Sequence, residues 1–423
     1  MNAEMKSYIG TIRENLSQNY KGMFREAGGS LNYPFLTPGS DQYADVLWDW
    51  DSWLTNVAIR QILKESGTAE DLEQAQQYEQ GCIHNYLEGV KLNGWVPISL
   101  RRDTDRKVPE GFDRRNMHKP CLAQHAAFLV QQNGGDAEWV RENEGLYGLQ
   151  KFVNNYRNFH KHACGIYFWQ DDGAIGVDND PCTFNRPPRT SGSIYLNCLM
   201  YKELEALAYL CNRLDLGEVG AQYQRDADRL KQDIQEHCWD ERDGFFYSVD
   251  FNFVDSSLTP RRHAGQLRDW PCLIQRIGVW SGFLGLWAGI ASQEQAERVV
   301  KEHCRNTKTF NAPAGVRTLS RMEKMYNVRA SGGPSSWLGP IWGVSNYLTF
   351  RGLVRYGFNE DAQELAERTI RLFGRDIERF GAMHEYYQPE NGEPILNRGF
   401  QNWNYLVLNM IAWLEGKEVV AEF

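Results

Sequence analysis

The strongest constraint on the fold is an alternation of two kinds of helical segment along the chain. Segments such as 216–238 and 359–379 are apolar on one face and charged on the other, whereas 191–213 and 342–356 are apolar on most faces. Helices of the first kind belong at a surface and helices of the second kind in an interior. Hydrophobic periodicity and helix-boundary residues together predict twelve helices. These cover residues 6–26, 51–65, 69–92, 118–133, 136–160, 191–213, 216–238, 277–288, 293–305, 342–356, 359–379 and 401–415.

Outer amphipathic helices that alternate with inner apolar ones over six hairpins predict an all-α fold, the (α/α)6 barrel. An α-solenoid would show a regular sequence period, and the chain has none. No Pro/Gly/Ser-rich linker or low-complexity tract divides the helices. We therefore expect residues 1–423 to form a single domain.

Five motifs stand immediately before the predicted inner helices. In a barrel whose helices alternate in direction, all inner helices start at one end, so these motifs should surround one mouth. The chain has 14 Trp, 20 Tyr and 20 Phe, and their concentration in the motifs indicates ligand-facing aromatic side chains rather than core alone. The motifs are LWDWDSW (47–53), NMHKP (116–120), PPRTSGS (187–193), GGPSSWLGPIW (332–342) and NRGFQNW (397–403).

Two long stretches interrupt the helices. Residues 165–188 are rich in Gly, Asp, Pro and aromatics, and residues 239–252 alternate around an Asp-Gly pair that predicts a small β-hairpin. Long loops in a compact domain are usually functional or disordered, and the aromatic content argues against disorder. We expect both insertions to lie over the barrel mouth.

Composition excludes several classes of function. The net charge of −9 argues against nucleic acid or an anionic membrane as the partner. Nine scattered cysteines without a C-x-x-C pair predict neither a disulfide framework nor a zinc site. The N-terminus lacks the apolar region of a signal peptide, and no apolar run is long enough to cross a bilayer. We expect a cytoplasmic protein that needs no metal or organic cofactor; the oligomeric state is left open.

Paired carboxyl groups are the first requirement for hydrolysing a glycosidic bond. Asp178, in AIGVDNDP, lies between apolar residues and Pro181, and apolar surroundings favour the protonated carboxyl that a general acid needs. The alternative is a turn residue. Glu385, in HEYYQPENGE, lies beside His384 and two tyrosines, as either a general base or a hydrogen-bonded structural acid.

Other residues at the expected mouth suit sugar binding. Asp49 and Asp51 alternate with tryptophans, so Asp51 either binds sugar hydroxyls or caps the following helix. His118 and Lys119 stand at the start of another inner helix, where a histidine is more often structural than catalytic. Trp337, Trp342 and Asn346 complete the expected mouth.

These motifs together resemble glycoside hydrolase family 63 and its trehalase relatives, and in particular its short bacterial members, the mannosylglycerate and glucosylglycerate hydrolases. The resemblance runs from about Tyr43 to Trp403 and rests on LWDWDSW, NMHKPCLAQ, GVDNDP, WLGPIWGVSNYL and HEYYQPENGE. Family members are (α/α)6 barrels that invert the anomeric configuration. The resemblance implies a general acid at Asp178 and a general base at Glu385, separated by roughly 6.5–9.5 Å in an inverting site.

The resemblance also implies which residues bind the substrate. Trp50 and Asp51 match a pair that holds the sugar, and Trp342 matches an aromatic wall. Where relatives commonly have Tyr-Trp-Arg-Gly-Pro, this chain has Ser336-Trp337-Leu338-Gly339-Pro340, which changes the expected aglycone contacts. The expected substrate-binding residues are Tyr43, Trp48, Trp50, Asp51, Asn116, His118, Gln124, Trp337, Gly339, Trp342 and Gln401.

The function predicted from the sequence is therefore an inverting α-glycosidase, with an α-glucoside preferred over an α-mannoside and a small aglycone. Arg189, Arg261 or Arg262 either binds a carboxylate of that aglycone or is a solvated surface residue. A sugar epimerase of the N-acylglucosamine 2-epimerase type is an alternative on the same barrel, and its acid–base pair would come from His118, His263 or His384. A second alternative is a non-catalytic sugar-binding barrel.

Overall fold

Twelve α-helices run through the protein in a computed structural model that describes residues 2–253, 270–329 and 335–423. Each overlaps one of the twelve predicted segments. Their bounds are Ala3–Asn19 (α1), Asp49–Ser66 (α2), Ala69–Val90 (α3), Leu122–Gln132 (α4), Gly145–Phe159 (α5), Ile194–Arg213 (α6), Gly217–His237 (α7), Leu284–Trp287 (α8), Gln293–Arg298 (α9), Gly343–Arg355 (α10), Asn359–Phe380 (α11) and Val407–Leu414 (α12).

Some predicted helix starts and ends differ from the structure. Helix α5 begins at Gly145 rather than near 136, because Asn143 (φ 51°) and Glu144 (φ 60°) adopt left-handed backbone that interrupts a helix. Helices α8 and α12 are short because 3₁₀ turns, Trp280–Phe283 and Asn402–Leu406, precede them. Helix α9 continues into a π-helical turn, Val299–Cys304.

The even-numbered helices form a closed inner ring. Each contacts the next, from α2 through α4, α6, α8 and α10 to α12, and α12 contacts α2 again. Helices α1, α3, α5, α7 and α11 pack on the outside of this ring. Helix α6 is buried along almost its whole length, whereas α11 buries one apolar face that includes Ala362, Ile370 and Phe373. This arrangement confirms the predicted (α/α)6 barrel.

Short antiparallel strands link the loops between helices. The described strands are Phe24–Arg25 (β1), Phe35–Leu36 (β2), Leu47–Trp48 (β3), Ser99–Leu100 (β4), Ser191–Gly192 (β5), Trp239–Asp240 (β6), Phe245–Phe246 (β7), Val249–Asp250 (β8), Leu273–Ile274 (β9), Asn311–Ala312 (β10), Gly315–Val316 (β11), Ile341–Trp342 (β12), Tyr386–Tyr387 (β13) and Pro394–Leu396 (β14). They pair as β1-β2, β3-β4, β5-β8-β9, β6-β7, β10-β11 and β12-β13-β14.

Two of these sheets bear on the predictions. Strands β6 and β7 form the hairpin predicted around the Asp-Gly pair, with Gly244 at φ 63° in its turn. In the second sheet Trp342 of β12 is opposite Tyr386 of β13, which brings the segment around Glu385 to the start of α10. None of the helices in the described ranges combines the length and apolar character of a membrane span.

Candidate active site

A cavity of about 350 Å³ opens at the end of the barrel where the inner helices begin. Small-molecule sites commonly enclose roughly 300–1,000 Å³. Larger hollows elsewhere on the described surface are lined mainly by charged and polar side chains. The residues that line the cavity are Tyr43, Trp48, Trp50, Asp51, Ile98, Lys119, Ala174, Gly176, Asp178, Ser335, Trp337, Trp342, Glu385, Phe400 and Trp403.

Four of the five motifs reach this cavity as predicted, namely 47–53, 116–120, the described part of 332–342, and 397–403. The loop 165–188 also contributes lining residues. The fifth motif, 187–193, directly precedes the inner helix α6, but none of its residues lines the cavity. Instead, Ser191 and Gly192 form β5, and the Ser193 hydroxyl accepts a hydrogen bond from Leu196 N at the start of α6.

Glu385 is a buried carboxyl at the cavity wall, with 4% of its surface exposed. The Tyr43 hydroxyl donates to Oε1 at 3.0 Å, and Asn397 Nδ2 donates to Oε2 at 2.8 Å. Burial disfavours the charged form and raises the pKa of Glu385 to about 7. The two hydrogen bonds lower the pKa and only partly oppose this effect. The negative charge of Asp178 raises it further. Glu385 therefore changes its charge near neutral pH.

A hydrogen-bond network fixes the segment that carries Glu385. Its backbone N–H donates to Leu396 O in β14. One residue earlier, His384 donates from its backbone N to Asp376 Oδ2 of α11 at 2.9 Å, and its ring Nδ1 lies 2.9 Å from the same oxygen. The Tyr387 hydroxyl also donates to Asp376 Oδ2, at 2.7 Å. A helix and a strand thus hold Glu385 from both sides.

Asp178 is exposed at the cavity mouth, on the loop between α5 and β5. The expectation that apolar residues enclose it is wrong, because Val177 is buried while Asp178 itself is exposed to solvent. The next residue, Asn179, has left-handed backbone (φ 55°), and its Oδ1 accepts from Trp337 N at 2.9 Å. This bond ties the Asp178 loop to Trp337, one of the aromatic residues that line the cavity.

Asp180, two residues further on, is a turn residue, which was the alternative role considered for Asp178. Its Oδ1 accepts from Cys182 N at 2.9 Å, and it is not among the cavity residues. Burial raises the pKa of Asp180 to about 6. Of the two acids in GVDNDP, Asp180 therefore shapes the loop and Asp178 faces the cavity.

Asp51 lies at the base of the cavity, in the first turn of α2. Asn402 Nδ2 donates a hydrogen bond to its Oδ1. Burial, together with the charge of Asp49, raises the pKa of Asp51 to about 8, and Lys119 opposes that rise. The alternative role as a helix cap does not hold, since α2 begins at Asp49 without any side-chain cap.

Lys119 is the cation among the described lining residues. Its ammonium lies 2.8 Å from Asp49 Oδ1 and 5.3 Å from the centre of the Trp50 ring, and it is 1% exposed. A side-chain atom on Gly176 would come within 2.6 Å of this ammonium, so the glycine allows the 165–188 loop to approach Lys119 closely. The charge of Lys119 is thus compensated within the protein.

Aromatic rings form a large part of the cavity wall. Trp337 stacks on Trp342 with ring centres 4.2 Å apart, and Trp342 stacks on Tyr386 at 4.8 Å. Trp50 and Trp403 meet edge to face at 5.0 Å. Among the described residues, the buried indole N–H groups of Trp48 and Trp403 have no protein acceptor.

Five residues of the predicted binding set lie away from the cavity. His118 is buried between Tyr86 and Phe152, and its Nδ1 lies 2.6 Å from Lys119 O. Gln124 Nε2 donates to Pro120 O and Leu199 O, inside the inner ring.

The other three of these residues organise loops. Asn116 Nδ2 donates to Gly173 O, and so holds the 165–188 loop. Gly339 has φ 128°, and a side-chain atom there would come so close to the Tyr326 ring that the ring would have to move. Gln401 Nε2 donates to the Tyr405 hydroxyl at 2.7 Å.

Two further predicted contacts, Arg189 and Asn346, also lie outside the cavity. Arg189 donates to Gln170 Oε1 and Asp113 O. Asn346 accepts from Val316 N within the core. Of the positions that depart from the relatives, Ser336 is buried and Leu338 packs beside a small apolar cluster that includes Leu319. Arg261, Arg262 and His263 lie outside the described residues.

Several site residues were not in the predicted set. Phe400 and Trp403 line the cavity, while Asn397 and Asn402 hold Glu385 and Asp51. All four lie in NRGFQNW, a motif that the sequence already places at the mouth. The polar and aromatic residues of this motif were therefore the sequence feature that could have predicted them as site residues. Within the described residues, no group of three His, Cys, Asp or Glu side chains is arranged to hold a metal ion.

Similarity to known proteins decides the family. The family described as "Mannosylglycerate hydrolase MGH1-like glycoside hydrolase domain" matches residues 44–404. The chain belongs to this family. The resemblance to family 63 glycoside hydrolases and trehalases is thereby confirmed.

Individual relatives share only a low sequence identity with this chain. A cytosolic neutral trehalase of Kluyveromyces lactis is 25% identical over 265 residues, which are 60% of this chain and 31% of the trehalase. Mannosylglycerate hydrolase MGH1 of Selaginella moellendorffii is 28% identical over 247 residues, 57% of this chain and 42% of that protein. The chain thus spans less than half the length of these curated relatives.

Solved structures support the fold. The GH63 mannosylglycerate hydrolase from Thermus thermophilus, solved in complex with glucose, superposes with a TM-score of 0.66 at 18% identity, over 94% of this chain and 98% of that one. Neutral trehalase Nth1 from Saccharomyces cerevisiae gives a TM-score of 0.59 at 15% identity, over 89% of this chain and 73% of that one. At these identities the likeness establishes the helical toroid.

Proposed function

We propose that this protein is an inverting α-glycosidase that hydrolyses a small α-glucoside, or an α-mannoside, with Asp178 as general acid and Glu385 as general base. The observation that carries the proposal is the pair of carboxyl groups on one aromatic cavity, close enough for the charge of Asp178 to raise the pKa of Glu385. The mannosylglycerate hydrolases and trehalases among the relatives support the same reaction class.

In the proposed reaction, Glu385 takes a proton from a water molecule that attacks the anomeric carbon. Asp178 gives a proton to the glycosidic oxygen on the opposite side, and the bond to the aglycone breaks. The products are a free sugar of inverted configuration and the aglycone alcohol. Each Glu385 oxygen accepts one hydrogen bond within the protein, so each keeps a lone pair for that water.

The two carboxyl groups suit different steps because their surroundings differ. Glu385 is already buried, and its pKa of about 7 makes it an effective proton acceptor at and above neutral pH. Asp178 is exposed in the open cavity. A sugar that fills the cavity displaces water from this side chain.

The sugar ring would lie against the Trp337 and Trp342 stack, with its hydroxyls towards Asp51. Stacked indoles present flat apolar faces to the C–H face of a pyranose. We prefer glucose at this position because trehalases are among the relatives and the Thermus thermophilus hydrolase was solved with glucose.

The charges around the cavity favour a neutral aglycone over a carboxylate such as glycerate. The described lining carries three carboxyl groups, and its cation, Lys119, is paired with Asp49. A carboxylate that enters this lining loses its hydration without gaining a free cation as its partner, which is costly. Arg189, one candidate carboxylate binder from the sequence, is occupied by Gln170 and Asp113.

The alternative functions receive less support from the site. Among the described residues, no histidine lines the cavity, whereas an epimerase of the kind considered needs an acid–base pair facing one carbon. His384 is bonded to Asp376 instead. A non-catalytic sugar-binding barrel would leave the buried, pKa-shifted Glu385 without a role.

The decisive experiment is a substrate screen with separate detection of both products. Matched pairs, such as glucosylglycerol with glucosylglycerate and each glucoside with its mannoside, report the sugar and the charge of the aglycone independently. We expect release of sugar and aglycone in equal amounts, and a higher kcat/KM for the neutral member of each pair. Binding without turnover on every compound would contradict a hydrolase, and a single isomeric product would identify an epimerase.

We further propose that residues 1–423 act as one catalytic domain in a reducing compartment such as the cytoplasm. One hydrophobic core cluster extends from Met5 to Val420, which supports a single unit. All nine cysteines are unpaired, which fits a reducing environment.

A further inference from the structure

Nine non-glycine residues in the described part of the chain have left-handed backbone, and three of them differ from the others in burial. Asn402 is 0% exposed, and Asn179 and Asn397 are half-buried. The remaining six are exposed, namely Asn143, Glu144, Ala174, Asn185, Arg189 and Asp215. Left-handed backbone is costly for a residue with a side chain, and it persists only where the surroundings impose it. The three enclosed asparagines are therefore held in place by their contacts.

The three enclosed asparagines are associated with the three carboxyl groups of the cavity. Asn397 Nδ2 donates to Glu385 Oε2 at 2.8 Å. Asn402 Nδ2 donates to Asp51 Oδ1. The remaining asparagine directly follows Asp178 in the chain. Strained backbone clusters at binding and catalytic sites, where it is part of their preorganisation. The distribution of strain thus indicates that these asparagines support the cavity carboxyl groups rather than turns alone.

Asn402 is fixed at both ends of its amide. Its Oδ1 accepts a hydrogen bond from the Thr55 hydroxyl at 3.0 Å, and its Nδ2 donates to Asp51. Thr55 and Asp51 are four residues apart on α2, so they lie on the same face of that helix. All three residues are buried, with 7% or less of their surface exposed. Helix α2 thus both anchors the amide and receives its hydrogen bond.

The bond from Asn402 leaves one Asp51 oxygen for a ligand. In the described part of the chain, Oδ2 of Asp51 has no hydrogen-bond partner and is accessible from the cavity that Asp51 lines. The terminal torsion of an aspartate is broad, so a carboxyl that is held at neither oxygen turns easily about it. A hydrogen bond at Oδ1 restricts this torsion and therefore the direction of Oδ2. Asn402 thus determines which way the free oxygen faces.

We propose that Asn402 is a positioning residue: anchored by Thr55, it directs the free oxygen of Asp51 towards a hydroxyl of the bound sugar. This inference rests on the proposed function, in which Asp51 contacts the sugar. Asparagine suits the position because it tolerates left-handed backbone and carries both an acceptor for Thr55 and a donor for Asp51. Glycine adopts this backbone without an amide, and aspartate tolerates it without a donor. Substitution by these two residues therefore separates the role of the backbone from that of the amide.

The first test measures kcat and KM of Asn402→Gly and Asn402→Asp on the glycoside that the wild-type protein hydrolyses fastest. We expect kcat/KM to fall by about 10-fold to 10²-fold in both, mainly through a higher KM, because a hydrogen bond to a charged group is lost. Asn143→Gly, which changes an exposed left-handed asparagine in the turn before α5, is the control and should leave both constants unchanged. A wild-type KM in Asn402→Gly would show that the residue serves the backbone alone and would overturn the proposal.

The second test changes the anchor and keeps Asn402. Thr55→Val retains the shape of the side chain but removes its hydroxyl, and Thr55→Ser retains the hydroxyl. We expect Thr55→Val to raise KM by roughly threefold to 10-fold and Thr55→Ser to keep KM near the wild-type value. Melting temperatures check that both variants are folded. Equal KM values in the two variants would contradict the anchoring role of Thr55.

The third test asks whether Asn402 acts through Asp51. In the Asp51→Ala protein no carboxyl remains to be directed, so adding Asn402→Gly should change kcat/KM and the Kd for glucose by less than about twofold. Independent effects that multiply in the double variant would overturn the proposal. The Kd, measured by calorimetry with glucose and with mannose, separates this proposal from the proposed function. If the wild-type protein binds a sugar but hydrolyses no glycoside, the hydrolase proposal fails, and weaker binding by Asn402→Gly still supports the positioning role.

Discussion

The segment that carries Glu385 and the loop that carries Asp178 are built in opposite ways. Glu385 is buried, both of its oxygens accept hydrogen bonds, and Asp376 ties its neighbours to α11. Asp178 is exposed, and its loop has left-handed backbone on both sides of it, at Ala174 (φ 59°) and Asn179 (φ 55°).

Under the proposed roles, this difference indicates that the base, Glu385, is prepared in the free protein, whereas the surroundings of the acid, Asp178, are completed by the substrate. A preorganised base needs no rearrangement when water binds. An acid at an open mouth remains accessible to the glycosidic oxygen of an incoming substrate and loses its solvent only when the cavity fills.

The largest effect is expected from Glu385→Gln. The amide keeps the shape and the hydrogen bond from Tyr43 but cannot accept a proton from water, so kcat should fall by about 10⁴-fold. Glu393→Gln, on the same segment but paired with Arg379 on the outer surface, is the matched control and should leave kcat unchanged. Initial rates and melting temperatures check both variants. A Glu385→Gln enzyme with more than a tenth of wild-type kcat would show that the base is another residue.

Asp178→Asn should depend on the leaving group. For a sugar or polyol aglycone, which leaves only when protonated, we expect a loss of about 10²–10⁴-fold in kcat. For a nitrophenyl glucoside, which leaves without protonation, the loss should be much smaller. Asp180→Asn is the control, because Asp180 shapes the loop without facing the cavity. Equal losses on both substrates would remove Asp178 from the role of acid.

A smaller loss of kcat is expected when the residue that positions Glu385 is changed and Glu385 itself is kept. Asp376→Asn weakens the bonds to His384 and Tyr387, and a misplaced catalytic group can cost up to about 10²-fold. We expect kcat to fall by about 10-fold to 10²-fold with little change in KM. An unchanged kcat would show that β13 and β14 alone position Glu385.

The smallest effect concerns the pH profile. Because Glu385 must be ionised to act as base, kcat/KM should fall as the pH drops through its pKa of about 7. Asn397→Ala and Tyr43→Phe each remove a hydrogen bond that stabilises the ionised form of Glu385. Each variant should therefore shift the acidic limb of the kcat/KM profile to a pH about one unit higher. Gln42→Ala, whose side chain bonds Tyr43 but not Glu385, is the control. If the midpoint of the acidic limb is unchanged in both variants, a group other than Glu385 causes the fall in kcat/KM.

The helices and the mouth could be predicted from the sequence because both depend on local signals. Periodicity places each helix, and Trp50, Trp337 and Trp342 were assigned to the mouth by their position before inner helices. The direction in which a side chain points at the start of a helix is not determined by the local sequence. In NMHKP, Lys119 faces the cavity and His118 the core, since the outcome depends on how the loop enters α4.

The support for the two carboxyl groups could not be predicted for the same reason. The bond from Tyr43 to Glu385 joins residues 342 positions apart, and the bond from Asn402 to Asp51 joins residues 351 positions apart. In GVDNDP, two acids of the same type take different roles because only one of them is enclosed. Burial of this kind is a tertiary property that no pattern in the segment contains.

The central claim, that Glu385 activates water rather than attacking the sugar, is tested most directly by the stereochemistry of the first product. An α-linked glucoside is hydrolysed in an NMR tube, and the anomeric proton signals are followed during the first minutes. If Glu385 is a base, β-glucose appears first and converts to α-glucose later, by slow mutarotation. Initial release of α-glucose would contradict the account and identify a nucleophilic carboxylate at this site.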